Sequence, residues 1–169
     1  MTDAASQGTD DDAPTERIEV ARRMPSDAAS IFAVLCDPQG HVDIDSTGML
    51  MDATGDPVTA AGDRFVVHMD REALNDYPLG LYDVTVVIET FEQDRDISWS
   101  ILGEIKPPIG HTYGYRLEPE EDGTLVTSYY DWSAIDPVWR KADIFPIISE
   151  AALRATLGVL DRTVRRRAR

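Results

Sequence analysis

The sequence predicts an α+β fold: a curved antiparallel β-sheet of about seven strands wrapped around one long C-terminal α-helix, with two short helices after the first strand. Three observations predict it. Residues 147–167 are apolar over too much of a helix circumference for a surface helix. The middle of the chain alternates apolar and polar residues in short runs joined by hairpin-scale connections, which implies an antiparallel meander. Such a sheet has one apolar face that needs a cover, and only the last helix is long and apolar enough to be one.

In that helix Leu153, Leu157, Leu160 and Val164 form one stripe, and Ile148, Ala152, Ala155, Val159 and Thr163 a second beside it. Together they cover roughly 200° of the surface. The remaining wedge, expected to face solvent, holds Glu150, Arg154, Gly158, Asp161, Arg162 and Arg165.

Residues 1–15 are acidic and nearly free of apolar side chains, so a disordered tail is expected there, with a single domain over 16–169. Residues 16–24 alternate, Ile18, Val20 and Arg22 opposing Arg17, Glu19 and Ala21, until Pro25. Ser26 is the expected N-cap of a helix carrying Ala28, Ile31, Phe32, Leu35 and Cys36 at helical spacing. Asp37-Pro38 ends it and starts a short second helix to residue 44. Strands are predicted over 47–53, 64–70, 81–91, 96–102, 111–118 and 124–133. A polar loop covers 71–79, a Pro-Pro loop follows Lys106, and Glu121-Asp122-Gly123 is a hairpin turn. An irregular or briefly helical link begins at Asp136-Pro137, and Ser149 is a candidate cap for the last helix.

The formal net charge of −15 opposes nucleic acid and anionic membranes as partners, both of which demand a basic footprint. No apolar run reaches the length of a membrane span, and the start lacks the pattern of a signal peptide, so stable membrane insertion is not expected and a cytoplasmic protein is. Cys36, the single cysteine, excludes an intrachain disulfide and reads as a buried structural thiol. The arginines at 162, 165, 166, 167 and 169 complement the helix dipole or form an anion patch.

The run from Gly110-His111-Thr112-Tyr113-Gly114-Tyr115 to Pro119, then Gly123-Thr124-Leu125-Val126-Thr127 and Tyr130-Asp131-Trp132-Ser133, resembles the START-like (SRPBCC) superfamily. Within it the nearest likeness is to the polyketide cyclase/dehydrase and lipid-transport group common in actinobacteria. Pro25-Ser26, Asp37-Pro38, His41 and the stretch Asp43 to Gly48 fit as well, so the resemblance spans roughly residues 16–167. It implies the helix-grip fold, with a hydrophobic cavity between sheet and long helix. Members share a cavity rather than a catalytic motif, so the resemblance bears on fold more than on activity.

Strand parity then nominates the cavity wall: Phe65, Val67, Met69, Trp99, Ile101, Tyr113 and Tyr115, with Tyr130 and Trp132 from the last strand and Ala152, Leu153 and Leu157 from the helix. The other face of the last strand, through Tyr129 and Asp131, is nearly as well patterned. Candidate acid–base groups are His41, Tyr113 and Asp131. An inward Asp131 would be a buried carboxyl with a raised pKa; an outward one would cap the loop at Ser133. His41 reads as a mouth residue, a general base or a structural hydrogen-bonding group, and in principle joins Asp43 and Asp45 around a cation. His68 lies opposite its strand's apolar face; His111 stands near one rim. There is no Gly-x-Ser-x-Gly elbow and no Gly-rich phosphate loop, so neither a hydrolase nor a nucleotide site is implied. No cofactor and no metal are expected.

The leading expectation is binding of a hydrophobic or amphipathic small molecule, a lipid, polyketide or similar, by a monomer or homodimer. A polyketide cyclase/dehydratase-type enzyme using the same cavity is the alternative. A regulatory protein with a vestigial cavity is the third.

Overall fold

A computed structural model describes residues 15–169. The expected tail therefore lies, but for Thr15, outside the described residues. In chain order the elements are β1 (Arg17–Met24), α1 (Ala28–Cys36), α2 (Pro38–Ile44), β2 (Leu50–Thr54), β3 (Arg64–Asp70), β4 (Leu81–Glu92), β5 (Asp96–Leu102), β6 (Thr112–Glu120), β7 (Gly123–Asp131), a four-residue α3 (Pro137–Arg140) and α4 (Glu150–Arg167). A single 3-10 turn, Glu72–Leu74, sits between β3 and β4.

The seven strands form one antiparallel sheet in the order β1-β7-β6-β5-β4-β3-β2. Hairpins give every neighbour except the β1–β7 pair, which closes through the chain's two ends (Arg17 opposite Asp131, Met24 opposite Thr124). A bulge between Ile88 and Thr90 shifts the alternation, so Ile88 and Phe91 both reach the core.

Asp37 ends α1 and caps α2 with its carboxylate on the Gln39 amide. The two helices meet closely at Gly40, where a Cβ would stand 1.9 Å from the Val34 carbonyl oxygen. The cap of α1 is Asp27, accepting from the Ser30 amide at 2.7 Å, and not Ser26. Both residues are good caps; the helix begins one residue later than the sequence suggested. Strand β2 also begins late. The Asp45 carboxylate takes the Thr47 amide and hydroxyl and the Leu50 amide, holding 45–49 as a loop.

Helix α4 starts at Glu150, capped by Ser149. It packs on β1 and β7 and on α1 and α2. Leu153, Leu157, Leu160 and Val164 are buried as expected. The second stripe is only half-buried, and Ala155 is exposed. Asp161, assigned to the solvent wedge, is 3% exposed. It is held by Arg22, which points from the inner face of β1 and donates through Nε to Oδ2 at 3.0 Å. The apolar arc is therefore narrower than its composition suggested, and a carboxylate packs beside it.

Candidate functional site

The concave face of the sheet is filled differently at its two ends. Under α1 and α2 it is solid. His41 is buried, donates from Nε2 to the Leu35 carbonyl at 2.8 Å, and lies edge-on to Phe65 and Trp99 with ring centroids 4.8 and 4.6 Å away. Burial pushes its imidazole down to about 4. His41 is thus a neutral core group at neutral pH, not a residue of a cavity mouth. Asp43 pairs with Arg167 and Asp45 holds its own loop, so the three do not surround a cation. Among the described residues no His, Cys, Asp and Glu side chains converge into a metal group. Phe65, Val67, Met69, Trp99, Tyr115, Leu153 and Leu157 are all buried in the same core.

Toward the other end the packing loosens. Ile101, Tyr113, Trp132 and Ala152 remain half-buried although they sit on or above the concave face. A cavity of about 110 Å3 opens here, walled by Leu81, Tyr82, Val84 and Ile101 from β4 and β5, by His111, and by Leu79, Ile105 and Ile109 from the flanking loops. Its volume lies below the several hundred cubic ångströms expected and is ample for one aromatic ring or a few waters. Of the residues nominated by parity, Ile101 alone lines it directly. A larger crevice of about 400 Å3 lies at the opposite end, at Arg23, Pro25 and Glu120 to Asp122; it is open, carries an Arg23–Glu120 ion pair, and touches none of the concave-face aromatics.

Beside the small cavity stands a polar cluster. His111 Nδ1 meets the Tyr130 hydroxyl at 2.9 Å, both groups buried, and burial holds the imidazole down at about 4. Tyr113 packs against both rings, at 5.1 Å from His111 and 4.9 Å from Tyr130. Trp132 stacks on Tyr130 at 5.4 Å. Burial raises the phenols of Tyr113 and Tyr130 beyond their ordinary range, so both stay protonated donors. Arg71 reaches in from the loop after β3 and donates to the Tyr82 hydroxyl at 3.3 Å. Two bonds to Asp76, at 2.8 and 3.0 Å, fix that guanidinium and raise its pKa.

Asp131 points outward. Burial alone would raise its carboxyl, but the Ser133 hydroxyl and amide and Arg17 outweigh that and lower it. It caps the turn after β7 and is no acid at neutral pH. The face of β7 that does turn inward is Val126, Ser128 and Tyr130, with Trp132 following. His68 lies on the outer face between Asp83 and Thr54. Tyr82, Val84 and Arg71 were not nominated from sequence. The alternation Tyr82, Val84, Val86, Ile88 was readable, but the mixed composition of β4 named no inner face; nothing local marked Arg71.

No family model and no curated protein matches the chain. Solved structures do. The Zhui aromatase/cyclase from Streptomyces sp. R1128 superposes with a TM-score of 0.64 at 15% identity, over 90% of this chain and 95% of that one. The chain has the START-like helix-grip fold. An AHSA1-like protein from Aeromonas hydrophila shares it at TM-score 0.59 and 15% identity, over 90% and 94% of the two chains. So does the Aha1 dimer from Colwellia psychrerythraea, at 0.56 and 13% over 88% and 95%. In this chain the concave face is filled under α1 and α2, His41 included, and a cavity opens near His111. No helix among the described residues is long and apolar enough to cross a membrane.

Proposed function

We propose that the chain binds a hydrophobic or amphipathic small molecule at the His111 end of the concave face. The observation that carries this reading is the contrast along one surface. The concave face is close-packed under α1 and α2, yet at the other end Ile101, Tyr113 and Trp132 stay half-buried and a cavity opens between Ile101, Val84, Tyr82 and His111. Mixed apolar walls with a few fixed polar groups are the chemistry of small-molecule sites. Here the walls are Val84, Ile101 and Leu81, and the polar groups are Tyr82 and His111, with Tyr113 packed behind His111. The volume accommodates a ring; a longer molecule extends outward between the loops at 79–81 and 103–109.

The test is native mass spectrometry of the purified full chain, joined to thermal shifts across a hydrophobic library, on the native protein and on Val84→Trp. A retained small molecule or a shift of several degrees, lost when the indole fills the cavity, supports the reading. No retained mass and no shift from any compound removes it.

A second reading is a polyketide cyclase/dehydratase type of enzyme. One observation favours it: His111 lines the cavity as a neutral imidazole hydrogen-bonded to the buried Tyr130 hydroxyl, a fixed polar group against which a polyketide carbonyl can be oriented. His111→Gln would then abolish turnover of a bound polyketide while leaving its binding within about threefold.

A further inference from the structure

We propose that the loop end of the sheet docks on a zwitterionic phospholipid bilayer. The strand register places four connections, 45–49, 71–80, 103–111 and 132–149, at one end of the sheet, the last three gathered near the cavity mouth. They are tied together. Trp139 Nε1 donates to the Pro107 carbonyl at 3.0 Å, and the Asp136 amide to the Ile109 carbonyl at 2.9 Å. Leu79 and Leu81 share the cavity wall with Ile105 and Ile109.

Of the large apolar side chains left exposed among the described residues, all but Met51 lie on these connections or on Leu81, the first residue of β4. Leu81 is 78% exposed and Val138 53%. Leu79, Ile105, Ile144 and Ile147 belong to the same set. The connections at the opposite end, 25–27, 55–63, 93–95 and 121–122, contribute none. Apolar residues scattered singly over a surface are ordinary; a ring of them at one end is not.

The composition of the ring selects the occupant. Both lysines of the chain, Lys106 and Lys141, stand in it, with Tyr77 and Trp139. Apolar tips bordered by Tyr, Trp and Lys match the boundary between acyl chains and headgroups, where the rings sit and the ammonium groups reach phosphate. Glu72, Asp76, Glu104 and Asp143 are exposed on the same connections, and the whole chain carries −15, so attraction to an anionic membrane is absent. Apolar insertion is left as the driving force, which favours a neutral headgroup layer. The choice of a bilayer over a protein partner rests on the reading of the cavity as a ligand site, since a bilayer is where an apolar molecule dissolves.

The experiment is flotation of the full chain with phosphatidylcholine vesicles, using the native protein, the double variant Val138→Asp/Ile144→Asp, and Met51→Asp. None of these three residues lines the cavity, so the thermal shift with a hydrophobic probe serves as a separate readout. The native chain is expected to float with vesicles and to do so almost equally at low and high salt, because burial of apolar surface is not screened. The double variant should lose at least about tenfold in partitioning, the effect of one to two inserted aliphatic side chains. Met51→Asp should float as the native chain does. Absence of flotation, flotation only with phosphatidylserine that salt reverses, or a dimer in solution that the double variant dissociates without changing flotation would each overturn the proposal. Probe binding without flotation removes docking alone. Flotation without probe binding removes the ligand reading and leaves docking to stand on the flotation itself.

Discussion

The guanidinium of Arg22 joins the carboxylate of Asp161 at 3.0 Å, fastening the middle of β1 to α4. Arg165, one turn along the helix, brings Nε to 3.0 Å from the other carboxylate oxygen, without the alignment of a hydrogen bond. The carboxylate is buried while both arginines are about half exposed. Loss of the acid removes both of its ties at once. Loss of one arginine leaves the buried acid with the other. Asp161→Ala should lower the unfolding free energy by about 2 kcal/mol, and Arg165→Ala by less than about 1 kcal/mol. Urea denaturation of both variants decides it; equal small losses would show that the pair does not fasten the helix.

Leu157 and Arg154, neighbours on α4, should behave as opposites. Leu157 is 1% exposed, whereas Arg154 is exposed and pairs with Glu150 one turn away. Leu157→Asp places a carboxylate in the apolar core and should prevent folding, at a cost of several kcal/mol. Arg154→Asp exchanges a surface attraction for a repulsion, about 0.5–1 kcal/mol. Circular dichroism and thermal melts separate the two outcomes. Two mild variants would mean that the helix is rotated from the position described.

Acid should weaken the fold well before the carboxylates titrate. His41 and His111 are held near 4 by burial, below the 6.5 of a free imidazole. Between those values the unfolded chain binds protons that the folded chain refuses, so stability rises with pH through that window and falls as pH drops from about 6.5 toward 4. Each histidine contributes a slope of up to about 1.4 kcal/mol per pH unit. The lowered carboxyls of Glu19 and Asp131 add to the loss only below about pH 4.5. A melting-temperature profile of the native chain and of His41→Gln should show the slope between pH 5 and 6.5 reduced in the variant. An unchanged slope would mean that His41 is not buried neutral.

The fold was legible because its signals are local and periodic. Alternation in β3, β5 and β6 named the inner faces, that in β7 left two faces nearly equal, and Leu153, Leu157, Leu160 and Val164 marked the buried side of α4. The resemblance carried by residues 110–133 supplied the topology. Where reading failed, the partner was far away in sequence. Asp161 is buried because Arg22, 139 residues earlier, meets it. His41 is buried because α2 folds its ring onto Phe65 and Trp99, on two different strands. Arg71 sits in a loop with no periodicity, and only the closure of the loop by Asp76 turns it toward Tyr82. A periodic pattern says which face is inside. It does not say how far the inside is filled, so residues nominated for a cavity divided between solid core and open end.

Gly114 and Tyr129 are partners across β6 and β7 on the outer face. The Tyr129 ring lies over the glycine, and a Cβ at 114 would stand 2.2 Å from its Cζ. The ring is held there by its hydroxyl on Asp96 at 3.0 Å and by the Arg17 guanidinium 4.1 Å above its centre. Gly114→Ala must displace the ring and should cost about 1–3 kcal/mol, although alanine is otherwise no worse in a strand. In the Tyr129→Ala background the same change should be neutral or stabilising. A double-mutant cycle by chemical denaturation measures the coupling; additive effects would count against the ring-over-glycine packing.

The last prediction concerns the polar pair beside the cavity. Tyr130 is fully buried, and its hydroxyl meets His111 Nδ1 at 2.9 Å. Tyr130→Phe keeps the ring packed against Tyr113 and Trp132 but strands an imidazole nitrogen in a dry site, which should cost about 1–2 kcal/mol. His111→Phe leaves the hydroxyl with the Ile147 backbone alone, at a somewhat smaller cost. The double variant replaces the polar pair by two apolar rings and should recover about 1 kcal/mol of the summed loss. Stability is the first readout, and binding of a hydrophobic probe is the second. If the pair serves only to hold β6 against β7, the double variant binds apolar probes as well as the native chain, whether or not they carry oxygen. If the pair orients the ligand, the double variant keeps a plain hydrocarbon probe and loses about tenfold toward one bearing a carbonyl, the worth of one hydrogen bond in a dry site. The two outcomes separate a structural histidine from a ligand-directing one at the same position.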